Sequence, residues 1–508
     1  MSTDANLYTR LAAGFVPARR CVESTDGACY TYAQLDAASA RAANALSALG
    51  LVPGERVSVL AEKSVGYLWL YLGCLRAGLI FHPLNPAYTD RELAFFLADA
   101  GTRLLVHDPQ FGPRIEAIAG TCPALELRLT LTAAGGGDFA DLCSSAPALF
   151  ADCPRAGDDT AALLYSSGTT GTPKGIRITH DNLYSNARAL AAAWAFSADD
   201  VLLHALPLFH VHGLFITLGP ALLAGTTIRF LPRFDVDAVI AALPGSTIMA
   251  GVPTFYTRLL AAPDFTRDTC RTVRVFISGS APLSEAVFHA FAERTGHTIL
   301  ERYGMTETGI NTSNPLYGER KPGAVGPPLA GVEVRIVDAQ GGTLAPGAIG
   351  AIQVRGPNVF PGYWQLPAAD AQAFDDDGWF DTGDQGQFDA EGYLVIVGRS
   401  KDLVISGGLN VYPKEVEREL ETLPGIVEAA VFGVAHDDLG EAVVAAVICA
   451  SPAPDEASAI AQLKTRLAGF KVPKRIVTLP ELPRNAMGKV QKNLLRERFA
   501  TIFAVAVK

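Results

Sequence analysis

Two periodicities alternate along the first part of the chain, and this alternation restricts the fold more than any other feature. Thr31 reads as a helix N-cap, and Leu35, Ala38, Ala42, Leu46 and Leu49 follow at helical spacing before Gly50 stops the helix. The run Arg56-Val57-Ser58-Val59-Leu60-Ala61 has the texture of a buried strand. Thr89 and Glu92 form a capping box that opens a further helix, which ends at Gly101 before the apolar run Leu104-Leu105-Val106. The pattern continues through residues 201–204, 226–231, 273–278 and the helical stretch 284–294. Helices alternating with apolar strands predict parallel α/β layers. From about Gly331 short β-like runs separated by Gly, Pro and Asp predict a more β-rich subdomain. After Gly398 the charged segment Arg399-Ser400-Lys401-Asp402 leads into a compact mix of helices and strands, with Pro413 in a first helical turn. The expected organisation is a large domain over residues 1–398, a hinge at 399–402 and a small α+β lid over 403–508.

A chain of 508 residues, 49% hydrophobic and 19% charged, has ample material for such a core and is neither disordered nor fibrous. Its formal charge of −10 argues against a general nucleic-acid binder, so anionic ligands need local basic groups. The eight cysteines show no C-x-x-C and no recurrent spacing, as expected of thiols in a reducing compartment. The most lipid-like stretch, residues 67–83, is interrupted by Arg76. The N-terminus lacks a charged head followed by an apolar core, and the C-terminal Ala-Val-Lys is not a Ser-Lys-Leu address. These readings predict a cytoplasmic protein with no membrane association.

The strongest chemical signal is Tyr165-Ser166-Ser167-Gly168-Thr169-Thr170-Gly171-Thr172-Pro173-Lys174-Gly175, which follows the apolar run Ala161-Ala162-Leu163-Leu164. A strand feeding such a loop suits phosphates: glycines let backbone N–H groups approach, hydroxyls donate and the lysine supplies charge. The spacing is not that of a Walker A loop. A flexible Ser/Gly/Thr linker would need neither the lysine nor the flanking strand.

This loop resembles the signature of the adenylate-forming superfamily, which comprises acyl-CoA synthetases, adenylation domains and luciferases. Other motifs follow in that family's order. Gly279-Ser280-Ala281-Pro282 and Glu301-Arg302-Tyr303-Gly304-Met305-Thr306-Glu307 resemble its adenine and phosphate/magnesium segments. Residues 380–384 and 398–402 resemble its ribose and hinge segments, and residues 483–489 its catalytic-lysine loop. Taken alone, Asp384 would read as a turn residue and Lys489 as a solvated loop charge; the ordered set changes both readings. The resemblance implies an enzyme that joins a carboxylate to ATP as an acyl-adenylate and then passes the acyl group to a thiol. It also implies roles. Lys489 bridges carboxylate and α-phosphate, Thr306 contacts the α-phosphate, Glu307 holds Mg²⁺, Tyr303 stacks on adenine, and Asp384 takes the ribose hydroxyls beside Arg399. Ser166, Ser167, Gly168, Thr169, Thr170, Gly171 and Lys174 hold phosphates. Lys401 is the hinge, and Gly407 and Gly408 admit a pantetheine arm. No carrier-protein domain is expected, so free coenzyme A is the acceptor.

Within that superfamily the segments around His210-Val211-His212-Gly213-Leu214 and residues 251–260 are similar to malonyl-CoA synthetases. That resemblance implies that Arg258, Ser280 and one of His210 or His212 hold the distal carboxylate of malonate, with methylmalonate accepted to some degree. An arginine aimed into an acyl pocket suits a second carboxylate and is a poor match for a fatty chain. The alternatives are a ligase for another short or medium acid, such as oxalate or a fatty acid, and a degenerate nucleotide-binding relative without catalysis.

Overall fold

The computed structural model describes residues 4–166, 173–407, 409–436, 438–450, 454–485 and 488–503. The capping signals work as the sequence predicts. Thr31 caps the helix Tyr32–Ala48 and Thr89 the helix Asp90–Asp99, each in a reciprocal capping box with Gln34 or Glu92.

Two large sheets carry the α/β layers. One runs in the order Leu127–Thr130, Leu104–His107, Arg56–Leu60, Ile80–Pro83, Thr160–Ser166 and Lys174–Thr179, parallel except for the last strand. The other has at its centre Ile299–Met305, Val275–Ser278, Ile248–Gly251, Val201–His204, Thr227–Phe230 and Arg20–Ser24, all parallel. Antiparallel edge strands, Gly309–Ser313 and Cys29–Thr31, flank it. The helix Val65–Arg76 between the sheets is apolar on nearly every side because it is enclosed, and buried Arg76 is compensated by Asp36 and Asp152 at 2.8 and 2.6 Å. No helix among the described residues is long and apolar enough to cross a membrane.

The β-rich region expected after Gly331 is a four-stranded antiparallel sheet, Glu333–Val337, Gly350–Arg355, Phe380–Phe388 and Leu394–Arg399. A single turn, Ser400–Asp402, separates it from Val404–Ser406, the start of a five-stranded sheet. That sheet is built around the long pair Ile426–His436 and Gly440–Cys449 and has its own core, including Val416, Leu420, Val431, Val443 and Leu463. The fold is therefore the expected mixed α/β class, with a large body of largely parallel sheets and a small C-terminal unit.

Candidate active site

The predicted motifs converge at the C-terminal edge of the larger sheet, where ligands of open α/β folds bind. Strand Val275–Ser278 ends in Gly279 to Pro282, strand Val201–His204 leads to His210 and His212, and strand Ile299–Met305 turns through Thr306 and Glu307. Successive side chains on a strand point to opposite faces, so one strand serves two sites. Glu301 and Tyr303 face one side, and Arg302 faces the other.

On the first side Tyr303 Oη donates to Asp384 Oδ2 at 2.6 Å, and Arg399 Nε approaches Asp384 Oδ1 at 2.9 Å. The backbone of Asp384 is fixed in turn by Thr382 Oγ1, which donates to the carbonyl of Ile352. The Glu307 carboxyl is buried and borders Tyr363, whose ring lies 4.8 Å below the ammonium of Lys174. Burial pushes Glu307 up to about 6, while Arg399 and Lys174 hold it from rising further. The loop around Tyr363 ties these parts together: Phe360 N–H donates to Glu307 O and Trp364 N–H to Gly175 O. Lys489 reaches the group from the C-terminal unit. Its loop packs on Thr254, where a Cβ at Gly488 would sit 3.2 Å from the hydroxyl. Burial, with the charge of Arg399, brings the Lys489 ammonium down to about 8.

On the second side Arg302 is 6% exposed, and neither its Nε nor one of its terminal nitrogens has a hydrogen-bond partner. The guanidinium lies flat against Gly279, where a Cβ would stand 2.2 Å from Cζ, so any other residue there would displace it. Burial pulls its pKa down to about 10, which leaves it charged at neutral pH. Ser280 beside it sits at φ +72°, a left-handed conformation unusual for serine, and its Oγ lies 3.1 Å from His212 Nδ1. His212 Nε2 is likewise buried without a partner; the hydroxyl of Ser278, also unpartnered, belongs to the face of Glu301, with which Ser278 pairs. Burial and the charge of Arg302 hold His212 neutral. Three orphaned polar atoms, Arg302 Nε, one Arg302 terminal nitrogen and His212 Nε2, thus lie by the Gly279-Ser280 turn, each able to donate a hydrogen bond to an anion.

Two arginines differ in placement from the simplest reading of the sequence. Arg258 is not among the buried groups around Gly279. The helix Pro253–Ala261 turns Tyr256 and Leu259 inward, and Tyr256 Oη donates to Ile277 O at 2.6 Å. Arg258, two residues on and about 200° round the axis, is exposed. Arg302, read from the sequence as part of the nucleotide set, lies against Gly279 and near His212, on the face of the strand opposite Tyr303. Between the two histidines, His212 meets Ser280, whereas His210 is half-buried against the ring of Phe209, with burial lowering it to about 4. Glu301 accepts only a long bond from Leu283 N–H and lies within the field of Lys414 and Arg418; burial raises it to about 7. Ala281 is half-buried and Pro282 exposed, Gly304 and Met305 carry the strand into the Thr306–Glu307 turn, and Ser166 closes its strand. Lys401 lies in the turn Ser400–Asp402, and Gly407 begins the turn after Val404–Ser406 with φ +59°. Ser167, Gly168, Thr169, Thr170, Gly171 and Gly408 lie outside the described residues. The sequence reading missed Tyr363, which borders Glu307 and Lys174.

Known proteins share this arrangement. The profile of the AMP-binding enzyme family matches residues 10–364, and that of the AMP-binding enzyme C-terminal domain matches residues 415–489. A malonate-CoA ligase of Arabidopsis thaliana is 34% identical over 94% of this chain and 86% of its own length. A feruloyl-CoA synthase of an Amycolatopsis species is 37% identical over 93% of this chain and 94% of its own. The crystal structure of ATP-bound MatB from Rhodopseudomonas palustris superposes with a TM-score of 0.96 at 48% identity, covering 99% of this chain and all of that one. With both profiles matched in order and the motif residues gathered at one sheet edge, the chain belongs to the AMP-binding family of adenylate-forming enzymes and is an AMP-forming acyl-CoA ligase.

Proposed function

We propose that this ligase activates malonate. The observation that carries the reading is Arg302: a buried guanidinium with unpartnered nitrogens, close to the equally unpartnered His212 Nε2. Leaving such groups unpaired costs several kcal/mol in an interior, so the pocket is built for a ligand that brings a negative charge. A fatty acid or a feruloyl group brings only the carboxylate that reacts. A short diacid brings a second, and a guanidinium holds a carboxylate in bidentate fashion. The similarity to the Arabidopsis malonate-CoA ligase points the same way, while the similarity to a feruloyl-CoA synthase means that overall likeness does not choose the acid.

In this reading Asp384 binds the ribose, Tyr303 covers the adenine, and Lys174 and Thr306 meet phosphates. Lys489 spans the reacting carboxylate and the α-phosphate, offsetting the charge that builds as the two anions meet. Glu307 suits Mg²⁺, a hard cation that takes one or two protein carboxylates together with phosphate oxygens. When bound, the cation would neutralise phosphate charge. Coenzyme A then displaces AMP after the residues beyond 402 turn about Lys401, carrying Lys489 away and Gly407 and Gly408 in.

The test is AMP release with ATP and CoA over malonate, methylmalonate, oxalate, butyrate, octanoate and ferulate. Malonate should have the highest kcat/KM; a ranking below butyrate or ferulate would remove the assignment.

A further inference from the structure

A buried amine lies outside the site just described. Lys63, 7% exposed, sits between the strand Arg56–Leu60 and the helix Val65–Arg76 and has no carboxylate partner among the described residues. Its Nζ is 2.7 Å from His204 Nδ1, 2.8 Å from His204 O and 4.3 Å above the ring of Phe230, on which the imidazole stacks. The other ring nitrogen, His204 Nε2, is 2.9 Å from Gly213 O. Gly213 immediately follows His212 at the start of a wide turn, His212–Thr217, with the wider-than-α spacing that leaves helix carbonyls in need of other donors. A Cβ at Gly213 would stand 2.0 Å from Pro207 O. Its carbonyl also accepts from Thr217 Oγ1 at 2.8 Å.

A lysine amino group offers N–H donors to both acceptors, which assigns Nδ1 of His204 as acceptor and leaves the proton on Nε2, directed at Gly213 O. We propose that Lys63, acting through His204, is a positioning residue for acid selection: it fixes the His204 tautomer that clamps Gly213 and thereby sets His212 against Ser280 and Arg302. Packing alone would be served by methionine, which fills the same volume without bringing an amine out of water. The proposal rests on the reading that His212 lines the acid pocket.

Lys63→Met should lower kcat/KM for malonate by roughly tenfold or more, leave KM for ATP within about twofold and melt no lower than the wild type. In a His212→Ala background the same substitution should have almost no further effect, because its route to the acid has been removed. Equal losses toward malonate and ATP, or an undiminished effect in the His212→Ala enzyme, would overturn the proposal. Should Lys63→Met not fold, His204→Gln and His204→Leu replace it. Glutamine restores a donor near Gly213 O and should keep most malonate activity, leucine should not, and equal losses in both overturn the clamp. A His212→Ala enzyme with unaltered malonate kinetics would remove the acid-pocket reading and the proposal together, which separates that failure from the others.

Discussion

Two groups of buried side chains along the strand Ile299–Met305 differ in how completely they are satisfied. At the proposed nucleotide site, Tyr303, Asp384 and Arg399 form a closed chain in which each has a protein partner, although Glu301 Oε1 on the same face has none. At the proposed acid site, Arg302 and His212 hold donors with none. A preorganised, self-satisfied arm can receive the same nucleotide whatever acid is activated. An arm with unmet donors is unstable until a matching anion arrives, so it discriminates. Damage to the first arm should slow all acids alike, and damage to the second should change only their ranking.

The largest effect that would test this division is Lys489→Ala. Removing a preorganised charge at the reacting centre should slow acyl-adenylate formation by on the order of 10²–10³-fold for every acid, while CoA transfer from preformed malonyl-adenylate stays comparatively active. Pyrophosphate exchange and thioester formation measured separately decide it; equal losses in both would break the assignment. The same lysine should give adenylation a pH signature. Its ammonium is required and its folded pKa is lowered to about 8, so kcat/KM for adenylation should be full below that value and fall as pH rises through it. The limb should be absent from the transfer half-reaction and from Lys489→Ala. A smaller effect is expected for Tyr303→Phe, which takes one donor from the buried Asp384 carboxylate. The expected cost is about 1–2 kcal/mol in kcat/KM for ATP, equal for malonate and butyrate. Unequal effects on the two acids would show that the arms are coupled. Arg258→Ala should change neither acid by more than about twofold, since the side chain is exposed. A selective loss of malonate activity would return Arg258 to the pocket.

These residues also show what a sequence reveals and what it conceals. Caps, glycine stops and apolar runs are local, so Thr31, Thr89 and the parallel strands were legible. The grouping of Tyr303, Asp384 and Arg399 was legible too, because they lie in motifs whose order survives in the linear chain. The acid arm was not. Arg258 and Arg302 are both arginines in apolar surroundings, and only helix phase and strand alternation, fixed by tertiary packing, turn one outward and the other in. Lys63 and His204 are 141 residues apart and carry no motif, so no local signal brings them together.

The central claim is that Arg302 selects the diacid. Its most direct test is the ratio of malonate to butyrate kcat/KM in the wild type and in Arg302→Leu, at fixed ATP and CoA. The account predicts that malonate falls by about 3–5 kcal/mol, on the order of 10²–10³-fold, with butyrate unchanged or improved, because a buried cation that a monocarboxylate never uses has gone. If both acids fall together and the ratio stays at its wild-type value, Arg302 supports the fold or the nucleotide arm and does not select the acid.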